Sequence, residues 1–178
     1  FNLARQAGID NINMDMICGL PEEGMEELSY TLDEIKKLDP ESLTVHALAV
    51  KRSSRLNRMK DTYHFGASEE MVSYAASCAR DMNMEPYYLY RQKYMSGALE
   101  NVGWAKPGTE NLYNIIMMEE LQTVVSVGGG GVTKLVDHAA GRIVRLPNPK
   151  YPHDYLTLRE KVLAQKEELV RFYGPAVP

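Results

Sequence analysis

The stretch "INMDMICGLPEEGMEEL", residues 12–28, decides how the rest of the chain is read. Residues 12–18 are apolar apart from Asn13 and Asp15, which suits a strand covered on both faces, as in parallel sheets. Gly19-Leu20-Pro21 breaks the strand, and Pro21 fits the entry to a helix. Glu22, Glu23, Glu26 and Glu27 crowd the first turns, where the helix dipole favours negative charge. Met25, Leu28, Leu32 and Ile35 recur at helical spacing and give the helix one buried face, which ends near Asp39-Pro40. Asp15 is the residue that does not fit, because a carboxylate in a covered strand is costly unless it has a partner. Either it hydrogen-bonds hydroxyls or amines of a ligand, or neighbouring backbone amides satisfy it.

Working outward, residues 1–9 read as the last turns of a helix that Gly8 stops. Downstream, "SLTVHALAV" (42–50) is a second strand, rich in strand-favouring residues and nearly uncharged. Strand, helix and strand over residues 12–50 form a βαβ unit, so the two strands are expected to be parallel. Two strands cannot complete a sheet. The chain also starts at Phe1 without a methionine, inside a helix, so it reads as a fragment whose remaining strands precede Phe1.

The composition shifts at Lys51, where "KRSSRLNRMK" carries five basic residues in ten and no acid. The expected division is therefore residues 1–50 and 51–178. Residues 69–84 read as a helix buried through Met71, Ala75, Cys78 and Met82, and "EPYYLYRQKYM" (85–95) as strand-like through Tyr87 to Tyr90. "GALENVGWAKPGTENLYN" (97–114) is turn-rich and reads as irregular. A helix over 113–125, the run Gly128 to Gly131 and a hairpin over 133–146 turning near Ala140-Gly141 follow. A last helix over 153–173 would bury Tyr155, Leu158, Val162, Leu169 and Tyr173.

Bulk properties bound the function. A length of 178 residues allows one or two domains with a real core, and 44% hydrophobic with 25% charged residues is ordinary for a soluble globular protein. A net charge of −4 and a pI near 5.6 argue against a general nucleic-acid binder. No apolar run is long enough to span a membrane, and no signal peptide is visible. Cys18 and Cys78 make no CxxC spacing, which favours a reduced, cytoplasmic protein.

Several residues besides Asp15 invite a chemical reading. The four glycines follow a helical pattern rather than a strand, so they are neither a Walker loop nor a Rossmann fingerprint. They let backbone approach a ligand, or they make a flexible connector. The basic stretch can cradle a polyanion through arginine, or it is a solvated face. His46, His64, His138 and His153 show no metal-ligand spacing. Cys18 at a strand end is a reactive thiol or a small buried filler.

"INMDMICGLPEEGMEEL", "DPESLTVHALAV", "YYLYRQK", "LENVGWAKPG" and the glycine run together resemble the oxygen-independent coproporphyrinogen III oxidase family, and within it the coproporphyrinogen dehydrogenase-like branch. The resemblance spans nearly the whole chain and implies a radical S-adenosylmethionine (SAM) protein. It implies an α/β fold: the C-terminal part of a partial (β/α)6 radical SAM barrel in residues 1–50, then a mixed, helix-rich α+β domain in residues 51–178. The CxxxCxxC motif that holds the family's [4Fe-4S] cluster is absent from this sequence, so those ligands are expected outside this segment and the segment alone inactive.

The resemblance assigns Asp15 to the SAM ribose hydroxyls, Ala49 to a backbone contact with the adenine, and Val132 to an apolar contact near the cofactor. It implies oxidative decarboxylation of coproporphyrinogen III propionates to vinyl groups in haem biosynthesis, with a tetrapyrrole substrate and an electron donor as partners. Arg52, Arg55 and Arg91 are candidates for the propionates on charge and placement alone. A haem-binding or trafficking protein, another tetrapyrrole enzyme of the family, and a non-catalytic partner are the competing expectations.

Overall fold

The computed structural model describes residues 1–50, 54–59, 62–91 and 99–174. It divides into two compact units, Phe1–Leu112 and Tyr113–Pro178. The first holds α1 (Asn2–Gln6), β1 (Asn13–Cys18), α2 (Met25–Leu38), β2 (Ser42–Ala47), α3 (Arg55–Arg58), α4 (Glu69–Asp81), β3 (Glu85–Tyr90) and β4 (Asn101–Ala105). The sheet order is β1-β2-β4-β3, so its strands come from both sides of the basic stretch. As expected, β1 and β2 are parallel, in register from Asn13↔Ser42 to Cys18↔Ala47. Strand β4 runs antiparallel to both β2 and β3.

Helices α2 and α4 supply the core on one face of this sheet. Leu28, Leu32 and Ile35 of α2 and Met71, Ala75 and Ala79 of α4 pack with Met16, Cys18, Leu43, Val45 and Trp104. In α4 the buried position is Ala79 rather than the expected Cys78, which is only partly covered. Helix α4 starts at Ser68, whose Oγ accepts from the Met71 amide at 3.1 Å. Glu69 and Glu70 sit in its first turn, where the dipole favours them. Ser68→Ala is expected to lower stability by about 1 kcal/mol in urea unfolding. Ser68→Asp, which keeps an acceptor at the cap, should restore most of it.

Besides Cys78, four expectations change in β1, α2, β4 and the last helix. Strand β1 is not covered on both faces: Met16 and Cys18 are buried, whereas Asn13, Asp15 and Ile17 alternate with them on an open face. Helix α2 begins at Met25, not at Pro21, with Glu27 Oε2 accepting from the Gly24 amide at 2.9 Å. Glu22 and Glu23 therefore belong to the preceding loop. Third, "NVGWA" is not irregular but forms β4, the strand between β2 and β3. Fourth, the final helical stretch is broken at Leu158 into α6 (Pro152–Thr157) and α7 (Arg159–Tyr173), which bury Val162 and Phe172. Leu158 and Tyr173 stay exposed.

Glu41 ties together the N-terminal ends of β1 and β2. Its carboxylate takes both oxygens to Arg5 Nη2, at 2.6 and 2.7 Å, and one also accepts from the Ile12 amide at 2.9 Å. Burial opposes the charged form, but these hydrogen bonds outweigh it and hold the Glu41 carboxyl below the usual range.

The second unit takes most of α5 (Leu112–Met118), which is shorter than the expected 113–125. It also holds the expected hairpin, β5 (Val132–Asp137) and β6 (Arg142–Pro147), together with α6 and α7. The glycine run is an ordered loop rather than a connector. Asn148 Nδ2 donates to the Gly128 carbonyl at 3.0 Å, the Gly130 amide donates to the Pro149 carbonyl at 2.7 Å, and Lys166 Nζ reaches the Ser126 carbonyl at 2.7 Å. Gly128 and Gly130 use the positive φ that glycine tolerates, +92° and +74°.

Candidate functional site

The helices cover one face of the first unit's sheet; the other carries a polar array. Because side chains alternate along strands, residues paired across the ladder share a face. Asp15 pairs with Thr44, Thr44 with Gly103, and Gly103 with Tyr88. Asn13 and His46 lie two residues from Asp15 and Thr44, and Tyr90 two from Tyr88, so all stand on this side.

Hydrogen bonds connect them. Asn13 Nδ2 donates to Asp15 Oδ1 at 2.7 Å, Thr44 Oγ1 donates to Asn13 Oδ1 at 3.3 Å, and Thr44 Oγ1 meets Tyr88 Oη at 3.2 Å. Beside this line Tyr90 Oη meets His46 Nδ1 at 3.1 Å, and His46 Nε2 lies 4.0 Å from Asp15 Oδ1. The Tyr88 and Tyr90 rings are near parallel, with centroids 6.3 Å apart. Burial and the Tyr88–Thr44 bond act in opposite directions on the Tyr88 hydroxyl; burial prevails and raises its pKa.

Gly103 allows this arrangement. A Cβ there would fall 1.8 Å from Tyr88 Cε1, so the tyrosine ring lies directly over the glycine backbone. Neighbouring Asn101, fully buried in β4, uses Oδ1 to accept from the Ala47 amide at 2.9 Å.

A pocket lined by Ile17, His46, Ala47, Leu48 and Ala49 opens at the carboxyl ends of β1 and β2, where ligands of parallel α/β sheets gather. The Leu48 amide donates to the Cys18 carbonyl at 3.0 Å and holds this end together. The loop after β1 is equally well fixed. Glu23 Oε2 accepts from the amides of Gly19 at 2.6 Å and Leu20 at 3.1 Å, while Glu22 and His64 bond each other's backbone amides through Oε1 and a carbonyl. Gly19, at φ +85°, packs so closely on Gly66-Ala67 that a Cβ would meet the Ala67 nitrogen at 2.1 Å. Cys18 beneath it is fully buried, and burial pushes its thiol up to about 12, which makes it packing rather than a nucleophile.

Of the expected site residues, Asp15 is exposed, its side chain 63% accessible, and not the buried carboxylate the sequence suggested. The alternation of β1 puts it on the open face. Ala49 lines the strand-end pocket. Val132 starts β5 in the second unit and is partly exposed. Arg55 is exposed on α3, Arg91 pairs with Glu100 at 3.2 Å, and Arg52 lies outside the described residues. Sequence reasoning missed Thr44, Tyr88, Tyr90 and Gly103. The two-residue spacing of Tyr88 and Tyr90 was the available signal, since it sets both on one face of a strand. Among the described residues no three His, Cys, Asp or Glu side chains gather as a metal site.

These features define a mixed α/β protein whose first unit offers a polar sheet face and a pocket at parallel strand ends. Over 158 residues the chain is 47% identical to the oxygen-independent coproporphyrinogen-III oxidase-like protein HemZ of Bacillus subtilis, covering 87% of this chain. The chain is thus a relative of the oxygen-independent coproporphyrinogen III oxidase-like proteins, as its motifs imply. It spans 32% of that relative's length, which fits a C-terminal portion. A shorter match, 44% identical over 57 residues, joins 30% of this chain to 12% of the oxygen-independent coproporphyrinogen III oxidase of Helicobacter pylori, alike in two strains. No family model and no solved structure matches.

Proposed function

We propose that this chain is the C-terminal part of a radical SAM enzyme acting on a tetrapyrrole in haem biosynthesis, with coproporphyrinogen III as substrate and oxidative decarboxylation of its propionates as the reaction. The 47% identity over most of the chain carries this reading, together with the exposed Asp15 carboxylate on the polar face of β1. When bound, SAM supplies the hydrogen-abstracting chemistry of such enzymes. The described residues fit part of that cofactor: one Asp15 oxygen is held by Asn13, and the other has no partner among them, so it can accept from a ribose hydroxyl. Ile17 and Ala47 to Ala49 offer apolar surface and backbone groups to the adenine. No ligand set for an iron–sulfur cluster is present among these residues, so no role in holding it is assigned to them.

In this reading β1 and β2 are late strands of the partial barrel, and the polar face lines its interior. Among the described residues no strand pairs with the outer edge of β1, and Met14, Ile17, Leu20, Tyr30 and Leu38 line a groove beside it. An unpaired edge with apolar flanks suits a further strand of the longer protein. Arg55 and Arg91 would receive propionates, Arg91 by exchanging Glu100 for the substrate carboxylate.

The test is turnover by the full-length protein, prepared anaerobically with its cluster, SAM and a reductant. Conversion of coproporphyrinogen III into a product with vinyl groups and released carbon dioxide is the expected result. Stoichiometric haem binding with no turnover would replace this reading with a haem-carrying one.

A further inference from the structure

We propose that Asn13, Thr44 and Tyr88 are positioning residues for Asp15. They form a one-way line of hydrogen-bond donors that fixes one carboxylate oxygen and presents the other to a ligand with adjacent hydroxyl groups. The inference rests on the reading that Asp15 binds the SAM ribose.

Proton accounting gives the line its direction. A carboxylate only accepts, so the Asn13 atom facing Asp15 at 2.7 Å is the amide nitrogen, and its carbonyl oxygen faces Thr44. That oxygen also only accepts, so the single Thr44 hydroxyl proton points to it. Tyr88 must then donate its own proton to Thr44 Oγ1 across 3.2 Å. Each donor polarises the next, and all three protons point toward Asp15.

Burial supports a positioning role. Thr44 is 2% exposed and Tyr88 9%, so water has little access to reorient the two hydroxyls at the start of the line. The line ends at an exposed carboxylate, where a hydrogen bond contributes little to folding. Gly103 leaves room for the Tyr88 ring to lie flat enough for its hydroxyl to reach Thr44. His46 Nε2 lies 4.0 Å from the same Asp15 oxygen, and Tyr90 Oη meets its other ring nitrogen at 3.1 Å. Asn13 thus holds Oδ1, which leaves Oδ2 without a partner among the described residues. A vicinal diol needs such a fixed acceptor, because a carboxylate free to rotate presents the right geometry only part of the time.

The experiment is a calorimetric titration of SAM into the full-length, cluster-loaded protein, with ligand-free thermal unfolding as a second readout. Asn13→Ala is expected to weaken SAM binding about tenfold. Tyr88→Phe, which keeps the ring over Gly103 and deletes only the first donor, is expected to weaken it about threefold. The unfolding midpoint should move by only a few degrees in either variant. In an Asp15→Ala background both effects on affinity should vanish, because there is no carboxylate left to position. If Asp15→Ala weakens binding while Asn13→Ala and Tyr88→Phe retain the parental affinity, the line is overturned and the reading of Asp15 survives. Persistence of the two effects without Asp15 would likewise overturn the line. An unchanged affinity in Asp15→Ala itself removes the reading beneath and the inference with it.

Discussion

Gly103→Ala is expected to destabilise the protein by about 2–4 kcal/mol, seen as a lowered midpoint in urea or thermal unfolding. The new Cβ would lie 1.8, 2.3 and 2.6 Å from three atoms of the Tyr88 ring, well inside van der Waals contact. The ring cannot move aside freely, because Tyr88 is 9% exposed and its hydroxyl is bonded to Thr44. Overpacking of this kind costs about 1–3 kcal/mol, and breaking the Tyr88–Thr44 bond adds about 0.5–1.5. Alanine also favours the strand over glycine, which offsets about 0.5–1 kcal/mol. The decisive measurement is the double variant. With Tyr88→Ala already present there is no ring to strike, so Gly103→Ala should then cost under about 1 kcal/mol. An equal cost in both backgrounds would mean that something other than the Tyr88 ring requires glycine there.

The same pair shows why part of the sheet was illegible in the sequence. The β1–α2–β2 unit was readable, because its apolar positions recur at strand and helix periods and Asp39-Pro40 punctuates the helix end. The β5–β6 hairpin was readable from two short apolar stretches on either side of Ala140-Gly141. Strand β4 was not, since Asn101 and Gly103 look like turn residues when read locally. Both choices are tertiary: Asn101 caps the ladder at Ala47, and Gly103 makes room for a side chain from β3. Neither partner is near in sequence, so no local pattern reports them. The start of α2 was misplaced for a similar reason. Glu22 and Glu23 have the composition of a first helical turn, yet they fold back onto His64 and the amides ending β1. Asp15 was singled out as a carboxylate in a covered strand. It is an exposed acceptor on an alternating strand, not a buried charge in need of rescue.

That difference fixes the second large effect. Asp15→Ala in the full-length protein is expected to weaken SAM binding by about 1.5–3 kcal/mol, the usual loss for hydrogen bonds to a charged group, or roughly 10- to 150-fold in dissociation constant. Stability should hardly change. The carboxylate is 63% accessible, its bond to Asn13 is at the surface, and His46 at 4.0 Å makes no hydrogen bond to it. Removing an exposed acceptor leaves no buried donor without a partner, because water can replace the carboxylate at the exposed Asn13 amide while Asn13 Oδ1 stays on Thr44. Asp15→Asn separates charge from hydrogen bonding. Its carbonyl oxygen would stay on Asn13 Nδ2, so an amide NH2 replaces the charged acceptor facing the ribose, and its affinity should fall between the parent and the alanine variant. Calorimetry supplies both numbers, and denaturation of the ligand-free variants supplies the control. Asp15→Ala that binds SAM like the parent would leave the carboxylate with only its surface bond to Asn13. A large loss of stability alongside weaker binding would instead make Asp15 a part of the fold, contrary to its exposure.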